Sequence, residues 1–418
     1  MKLQGVFAPP GDKSISHRAG LFALLGKGQM RVSNYSPCQD CASTLAAVAL
    51  LGIEPRFTND GLVVLTGAQG RLRPGALVDC SNSGTTMRLL MGLLAGVPGN
   101  FVLDGDDSLR RRPMERVAKP LRLMGAQVDC PDGRPPVSLT GGGLKGIDYT
   151  LPVASAQLKS ALLLAGVQAA GSTFVGEPVV SRDHSERMLA LCGAKLRREP
   201  GGWRIERSEL TLPEELRVPG DASSAAFFLG AAAITPGSEV TAEGTLLNPT
   251  RIGFLEVLKR MGADLHIEEQ GRVPEEWGRV RVAYSPGLTA CVVRAEEIPL
   301  LVDEVPILAL VATQARGTTV LKEVGELRVK ESDRLSAVAS QLGAMGADIS
   351  IEGEDLVING PTPLKAPAGQ LDSFGDHRIA MTLTLAGVLS GGSLGIKDEE
   401  CAAVSYPGFR HDLGLLLK

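Results

Sequence analysis

The sequence predicts an α/β protein built as two domains, each of three similar units. Three observations carry that expectation. An apolar helical run followed by a glycine-led, β-like run occurs six times, the β runs opening at Gly28, Gly99, Gly171, Gly237, Gly317 and Gly392 at spacings of 66 to 80 residues. The turn Pro10-Gly11-Asp12 returns as Pro219-Gly220-Asp221, 209 positions on and half the chain away. The 418 residues also exceed the roughly 250–300 at which a single core stops growing.

A second helix follows in each unit and stops at a glycine: Met124-Gly125, Cys192-Gly193, Met261-Gly262 and Met345-Gly346, more loosely Leu51-Gly52, and at the end Leu413-Gly414. Glycine there suits a left-handed helix cap, and the alternating residues beyond it suit a strand. One unit of about 70 residues cannot bury both helix faces, so units must pack on one another. The Pro-Gly-Asp echo divides six into three plus three. A first domain is expected at 12–219, and a second at 1–11 with 220–418. An open array of six units is the alternative. Polar residues at corresponding helix starts in both halves favour two globular domains.

Composition narrows the function. With 44% hydrophobic and only 4% aromatic residues, the cores must be built from Leu, Val, Ile and Ala. The longest apolar runs are interrupted, so no membrane span is expected. The first residues lack a long apolar segment, and the cytoplasm is the expected location. Seven cysteines do not describe a disulfide framework, and Cys38-x-x-Cys41 lacks a second pair, so no metal is expected. A net charge of −4 argues against a nucleic-acid surface; bound anions would need a local pocket.

The helix starts supply such pockets. After Pro10-Gly11-Asp12 come Lys13, Ser14 and Arg18, where free N–H groups, the helix dipole and two cations would meet an anion. Asn82-Ser83-Gly84 leads into a helix bearing Arg88, its glycine permitting close approach to the backbone. Arg112 precedes Pro113, which would open the next helix, whereas Arg110 and Arg111 read as solvated. Ser155-Ala156-Gln157 and Ser181-Arg182-Asp183 are further polar starts. In the second half, Asp303 and Glu304 precede an apolar helix, where an acid is favourable in any case. In Lys330-Glu331-Ser332-Asp333-Arg334, two cations one helical turn apart would repel unless an anion lay between them. Asp376-His377-Arg378 opens the last apolar helix. From residue chemistry alone, the chain binds small anions at clustered helix starts.

Together, Lys13-Ser14-x-x-x-Arg18, Asn82-x-Gly84-Thr85-x-x-Arg88, Arg112-Pro113, Ser155-x-Gln157, Lys330-Glu331-Ser332-Asp333-Arg334 and Asp376-His377-Arg378 resemble the 5-enolpyruvylshikimate-3-phosphate synthase family, in order and over the whole chain. The resemblance implies a two-domain, inside-out α/β barrel of six βαβαββ repeats with helix N-termini facing an interdomain cleft. It implies a monomeric transferase of aromatic amino-acid biosynthesis, without cofactor, that joins phosphoenolpyruvate to shikimate 3-phosphate and releases phosphate. Shikimate 3-phosphate would be held by Lys13, Ser14, Arg18, Ser155, Gln157, Ser181, Arg182, Asp303 and Lys330, chiefly on the first domain. Phosphoenolpyruvate would be held by Lys13, Gly84, Arg88, Arg112, Gln157, Arg334 and Arg378. Lys13, Asp303 and Glu331 would be catalytic.

Ser155–Ser160, Arg112-Pro113-Met114 and Arg182-Asp183-His184 look like the class II branch. Val404 stands where many class I members have Lys, and Leu89 where many have Pro; no ligand contact is assigned to Val404. Gly84 is retained. The sister transferase acting on UDP-N-acetylglucosamine would carry a Cys in the segment that here reads Arg110-Arg111-Arg112-Pro113. A non-catalytic anion-binding repeat protein would have no use for Asp303 and Glu331 amid so many cations. Ligand groups on both halves imply hinge closure near residues 11 and 220. Small-angle scattering should then show a smaller radius of gyration with both substrates bound than with neither; an unchanged radius would count against closure.

Overall fold

The repeating piece begins with a helix that cannot continue. At Gly262 the backbone turns to φ +90°, its N–H donates to the Lys259 carbonyl at 3.0 Å, and the Ala263 N–H reaches back to Leu258 at 3.0 Å. This paired cap satisfies carbonyls the helix end would leave bare, and it aims the chain into a strand. The same pair of bonds closes the helices before Gly52, Gly125, Gly193 and Gly346.

A computed structural model of the chain describes residues 1–75 and 77–418. One unit shows the pattern. Strand Leu77–Asp79 leads into helix Gly84–Ala95, strand Gly99–Asp104 lies parallel to the first, helix Glu115–Leu123 follows, and Gln127–Asp129 with Val137–Gly141 close an antiparallel hairpin. Each of five sheets among the described residues has four strands in this order, a parallel outer strand beside the strand that carries the hairpin.

The sixth unit differs from the sequence expectation. Its helix His377–Ser390 is capped by Gly391 at φ +89°, and its strand Ile396–Lys397 starts beyond a short loop rather than at Gly392. Gly414 sits inside helix Phe409–Leu416 instead of ending it. No hairpin follows among the described residues, so this sheet has only two strands.

The chain divides into two compact units, Gly11–Val218 and Met1–Pro10 joined with Pro219–Lys418. Strand pairing shows how each unit obtains its first outer strand. Gln4–Phe7 lies parallel to Glu239–Leu246, and Glu215–Arg217 lies parallel to Gln29–Ser33. Each Pro-Gly-Asp turn therefore follows a strand belonging to one unit and opens the first helix of the other.

In unit Gly11–Val218, helices Lys13–Leu25, Gly84–Ala95 and Ala156–Gly166 are buried beyond their first residues. In the other unit, helices Ala222–Ile234 and Val305–Ala312 are buried along their whole length, and His377–Ser390 nearly so. A helix apolar on every side belongs at the centre, while a sheet with one polar face belongs outside. Helix Gly253–Arg260 is amphipathic by contrast, with Phe254, Leu255, Val257 and Leu258 inward and Lys259 outward. Phe7, Phe227, Phe228, Tyr406 and Phe409 gather in one core, where Phe228 stacks on Phe409 with ring centres 5.2 Å apart.

Close approach of two central helices depends on Gly92, where an added Cβ would lie 2.1 Å from the Ala161 carbonyl oxygen. Gly92→Ala should force those helices apart and cost about 1–3 kcal/mol. A urea midpoint unchanged from wild type would contradict this packing.

Candidate functional site

In unit Gly11–Val218, the first turns of the three central helices converge. Each is capped by a side chain: Asp12 accepts from Ile15 N–H at 2.9 Å, Ser83 from Thr86 at 3.2 Å and Ser155 from Leu158 at 3.3 Å. The Arg88 guanidinium donates to Gln157 Oε1 at 2.5 Å, and Gln157 Nε2 donates to Thr85 Oγ1 at 2.9 Å, tying the Gly84 start to the Ala156 start. Arg18 donates to Ser160 Oγ at 2.8 Å, tying the Lys13 helix to the same place.

Gly84 lies beneath two guanidiniums. A Cβ there would stand 3.0 Å from Arg112 Nη1 and 3.1 Å from Arg88 Nη1, so glycine is what lets both groups close over the loop. Lys13, partly exposed, pairs with Asp40 at 2.7 Å. Arg18 is buried deeper than a simple surface ligand; its Nε donates to Ser185 Oγ at 2.7 Å and its Nη1 to the Ser14 carbonyl at 2.9 Å. Ser181 gives its N–H and its hydroxyl to Glu177 Oε2, at 3.1 and 2.9 Å, and half-buried Arg182 follows it. Five cations, Lys13, Arg18, Arg88, Arg112 and Arg182, stand on or near these elements, where each charge-assisted bond to an anion would contribute roughly 1.5–3 kcal/mol.

The other unit builds its cluster around Arg334, which is 1% exposed. Its Nε donates to Asp376 Oδ2 at 2.7 Å, its Nη1 to Asp303 Oδ1 at 3.3 Å, and its Nη2 to Glu331. Arg378 donates to the Asp303 backbone carbonyl at 3.1 Å. Asp376 caps the last central helix, accepting from Arg378 N–H at 2.9 Å. Burial alone would oppose charge here, but Asp376, Glu331 and Asp303 outweigh it and hold the Arg334 pKa above its usual value. Burial also works against the charge of Asp376, yet Arg334 and His377 bring its pKa below the usual carboxylate value.

Lys330 and Arg334 do not share a helical turn, contrary to the sequence reading. A 3-10 turn spans Gly325–Val329 and the helix begins only at Arg334, with Asp333 as its cap. Both cations feel the protein's own Glu331 and Asp303. Enclosure lowers the Lys330 pKa, partly offset by Glu326 and Asp303. Beyond Val404, Tyr406 packs against Phe228 and Phe409 and donates its hydroxyl to Asp412 at 2.5 Å.

Sequence reasoning missed the partners. Asp40 was unremarked, as were Glu177 and Glu186, which enclose Lys159, and Arg251, which donates to Ser223 at 2.9 Å while Ser223 donates to buried Glu304. One signal was available: Lys159 stands within Leu158–Ala165, an otherwise apolar or small-residue run, where a cation is either paired or misplaced.

A family model described as EPSP synthase (3-phosphoshikimate 1-carboxyvinyltransferase) matches residues 1–413. A relative from Bacillus licheniformis described as 3-phosphoshikimate 1-carboxyvinyltransferase is 46% identical over 97% of this chain and 96% of its own. One of the same description from Synechococcus sp. is 48% identical over 99% and 97%. The solved EPSP synthase of Acinetobacter baumannii superposes with a TM-score of 0.87 at 41% identity, covering 99% of this chain and 96% of that one. The enolpyruvyl transferase NikO of Streptomyces tendae shares the fold, with a TM-score of 0.79 at 19% identity over 99% and 95%.

A buried imidazole gives the first site a pH signature. His17 Nδ1 lies 2.6 Å from Thr44 Oγ1, which lies 2.6 Å from Thr86 Oγ1, bonded in turn to the cap Ser83. Burial, aided by Lys13 and Arg18 against Asp40, pushes the His17 pKa from 6.5 to about 3. The folded protein thus resists a proton that the unfolded chain accepts. The resulting stability is complete above pH 6.5 and is lost as pH falls towards 3. The loss is on the order of 4 kcal/mol. Denaturant midpoints for His17→Gln should fall less steeply than wild type across that window; identical slopes would refute the assignment.

Proposed function

The chain belongs to the EPSP synthase family, and from that premise we propose that it transfers the enolpyruvyl group of phosphoenolpyruvate to the 5-hydroxyl of shikimate 3-phosphate and releases phosphate. The observation that carries the reading is the pairing of buried Arg334 with Asp303, Glu331 and Asp376, which sets proton-handling carboxylates beside cations suited to a polyanion.

Two polyanions repel, so the first task of the site is to neutralise them. Lys13, Ser14, Arg18, Ser155, Gln157, Ser181, Arg182 and Lys330 hold shikimate 3-phosphate. Arg88, Arg112, Arg334 and Arg378, with Gly84, Gln157 and Lys13, hold phosphoenolpyruvate, the guanidiniums meeting its phosphate and carboxylate two-pronged. Alignment of the two supplies about 7–11 kcal/mol of the barrier. The 5-hydroxyl oxygen then bonds to C2 of phosphoenolpyruvate, its proton leaving towards Asp303 as the methylene carbon takes one up. In the resulting tetrahedral intermediate, the C2–O bond to phosphate breaks as a proton leaves the new methyl group, restoring the double bond. Lys13 and Glu331 carry these protons.

No helix among the described residues is long and apolar enough to cross a membrane, and a biosynthetic reaction on small anions suits a monomer in the cytoplasm. Phosphate release should require phosphoenolpyruvate and shikimate 3-phosphate together. Release with UDP-N-acetylglucosamine in its place, and none with shikimate 3-phosphate, would overturn the proposal. Glu331→Gln should keep both Michaelis constants within a few-fold and lower turnover about 100-fold or more; unchanged phosphate release would remove Glu331 from the chemistry.

A further inference from the structure

We propose that Lys159, Glu177 and Glu186 are positioning residues, a buried ion triad that fixes the Ser181–Arg182 segment so that Arg182 meets the phosphate of the phosphorylated substrate; this rests on the reading of that segment as a phosphate ligand. None of the three reaches solvent enough to touch a substrate: the side chains of Lys159, Glu177 and Glu186 are 0%, 1% and 1% exposed. The triad acts through the segment it holds.

Lys159 projects from the helix Ala156–Gly166, two residues after Gln157. Its ammonium lies 2.8 Å from Glu177 Oε2 and 2.8 Å from Glu186 Oε1, and donates to the Ser181 carbonyl at 3.2 Å. Two of its hydrogens are donated, to Glu177 and to the Ser181 carbonyl, and Glu186 is met as an ion pair. Glu177 Oε2 also takes the Ser181 N–H and hydroxyl, so Ser181 is held at its carbonyl, amide and side chain at once. Arg182, the next residue, is the cation this segment presents.

The two carboxylates flank the segment. Glu177 follows the strand Ser172–Gly176, and Glu186 lies in the first turn of the helix His184–Leu191. One ammonium therefore clamps both ends of the stretch between them. A second tie lies alongside, where Ser185 donates to Ser160 at 2.7 Å and both receive Arg18. Burying three ions is unfavourable before pairing, and apolar side chains would fill the same space more cheaply. Geometry imposed on a loop is what such a triad adds over an apolar core. Arg198 adds a second cation, its Nη1 donating to Glu177 Oε1 at 3.4 Å, and burial, opposed by Lys159, raises the Glu186 pKa.

The test combines Glu177→Gln, which keeps shape and removes charge, with Lys159→Met, Lys159→Arg and Arg182→Ala. In the folded Glu177→Gln variant, KM for shikimate 3-phosphate and its calorimetric Kd should rise on the order of tenfold to a hundredfold, with kcat and KM for phosphoenolpyruvate within about threefold. Lys159→Arg should recover part of what Lys159→Met loses. Arg182→Ala should weaken binding in wild type but add little on top of Glu177→Gln, because the two changes disable one element. Wild-type affinity in folded Glu177→Gln, or effects of Glu177→Gln and Arg182→Ala that simply add, would overturn the positioning role while leaving the segment's reading intact. Wild-type affinity in Arg182→Ala would overturn that reading itself. If Lys159→Met does not fold, the Glu177–Arg182 cycle still decides.

Discussion

A guanidinium removed from water must be surrounded by acceptors, and this requirement holds each set of helix starts together. Arg18 and Arg334 are only 3% and 1% exposed. Arg18 finds its acceptors on the Ala156 helix, the His184 helix and its own first turn. Arg334 finds them just before the Val305 helix, at the cap of the His377 helix and at Glu331 beside its own helix. Neither set of acceptors could drift without stranding a buried charge, at a cost of several kcal/mol. The groups proposed to bind anions inherit that rigidity, which is what pre-organised catalysis asks of its scaffold.

Both units surround their cations with built acceptors. Among the partners of Arg18 and Arg88 are serine hydroxyls, an amide oxygen and backbone carbonyls. Among those of Arg334 are three carboxylates, groups that can exchange protons. Cations and carboxylates held this closely suit the binding and acid–base chemistry proposed for them.

Local signals were the legible ones. Met-Gly-Ala steps announced the paired helix caps because only glycine enters the left-handed region cheaply, and the residue after it can then bond back to the helix. Asp12, Asp221 and Asp376 were recognisable as starts for the same kind of reason, since a short carboxylate can reach the N–H two or three residues on. The same logic misled at the last unit. Gly392 looked like the strand opener, but Gly391 already ends the helix and the chain needs four more residues before it can pair. At Lys330–Arg334 even spacing suggested a single helical turn, while the 3-10 turn before it shifts the true helix start to Arg334.

By itself, then, the sequence determined most of the helix starts and stops and which starts carry charge. Each of these depends on residues within a few positions of one another. Only the tertiary structure decided which outer strand completes which sheet, with Gln4–Phe7 beside Glu239–Leu246 and Glu215–Arg217 beside Gln29–Ser33. It alone decided that Lys13 answers Asp40, that Lys159 lies between Glu177 and Glu186, and that Arg334 sits among three carboxylates. The physical reason is common to all of them. Strand edges and long charged side chains accept many partners, and which one is met depends on how distant segments are brought together, not on their neighbours in the chain.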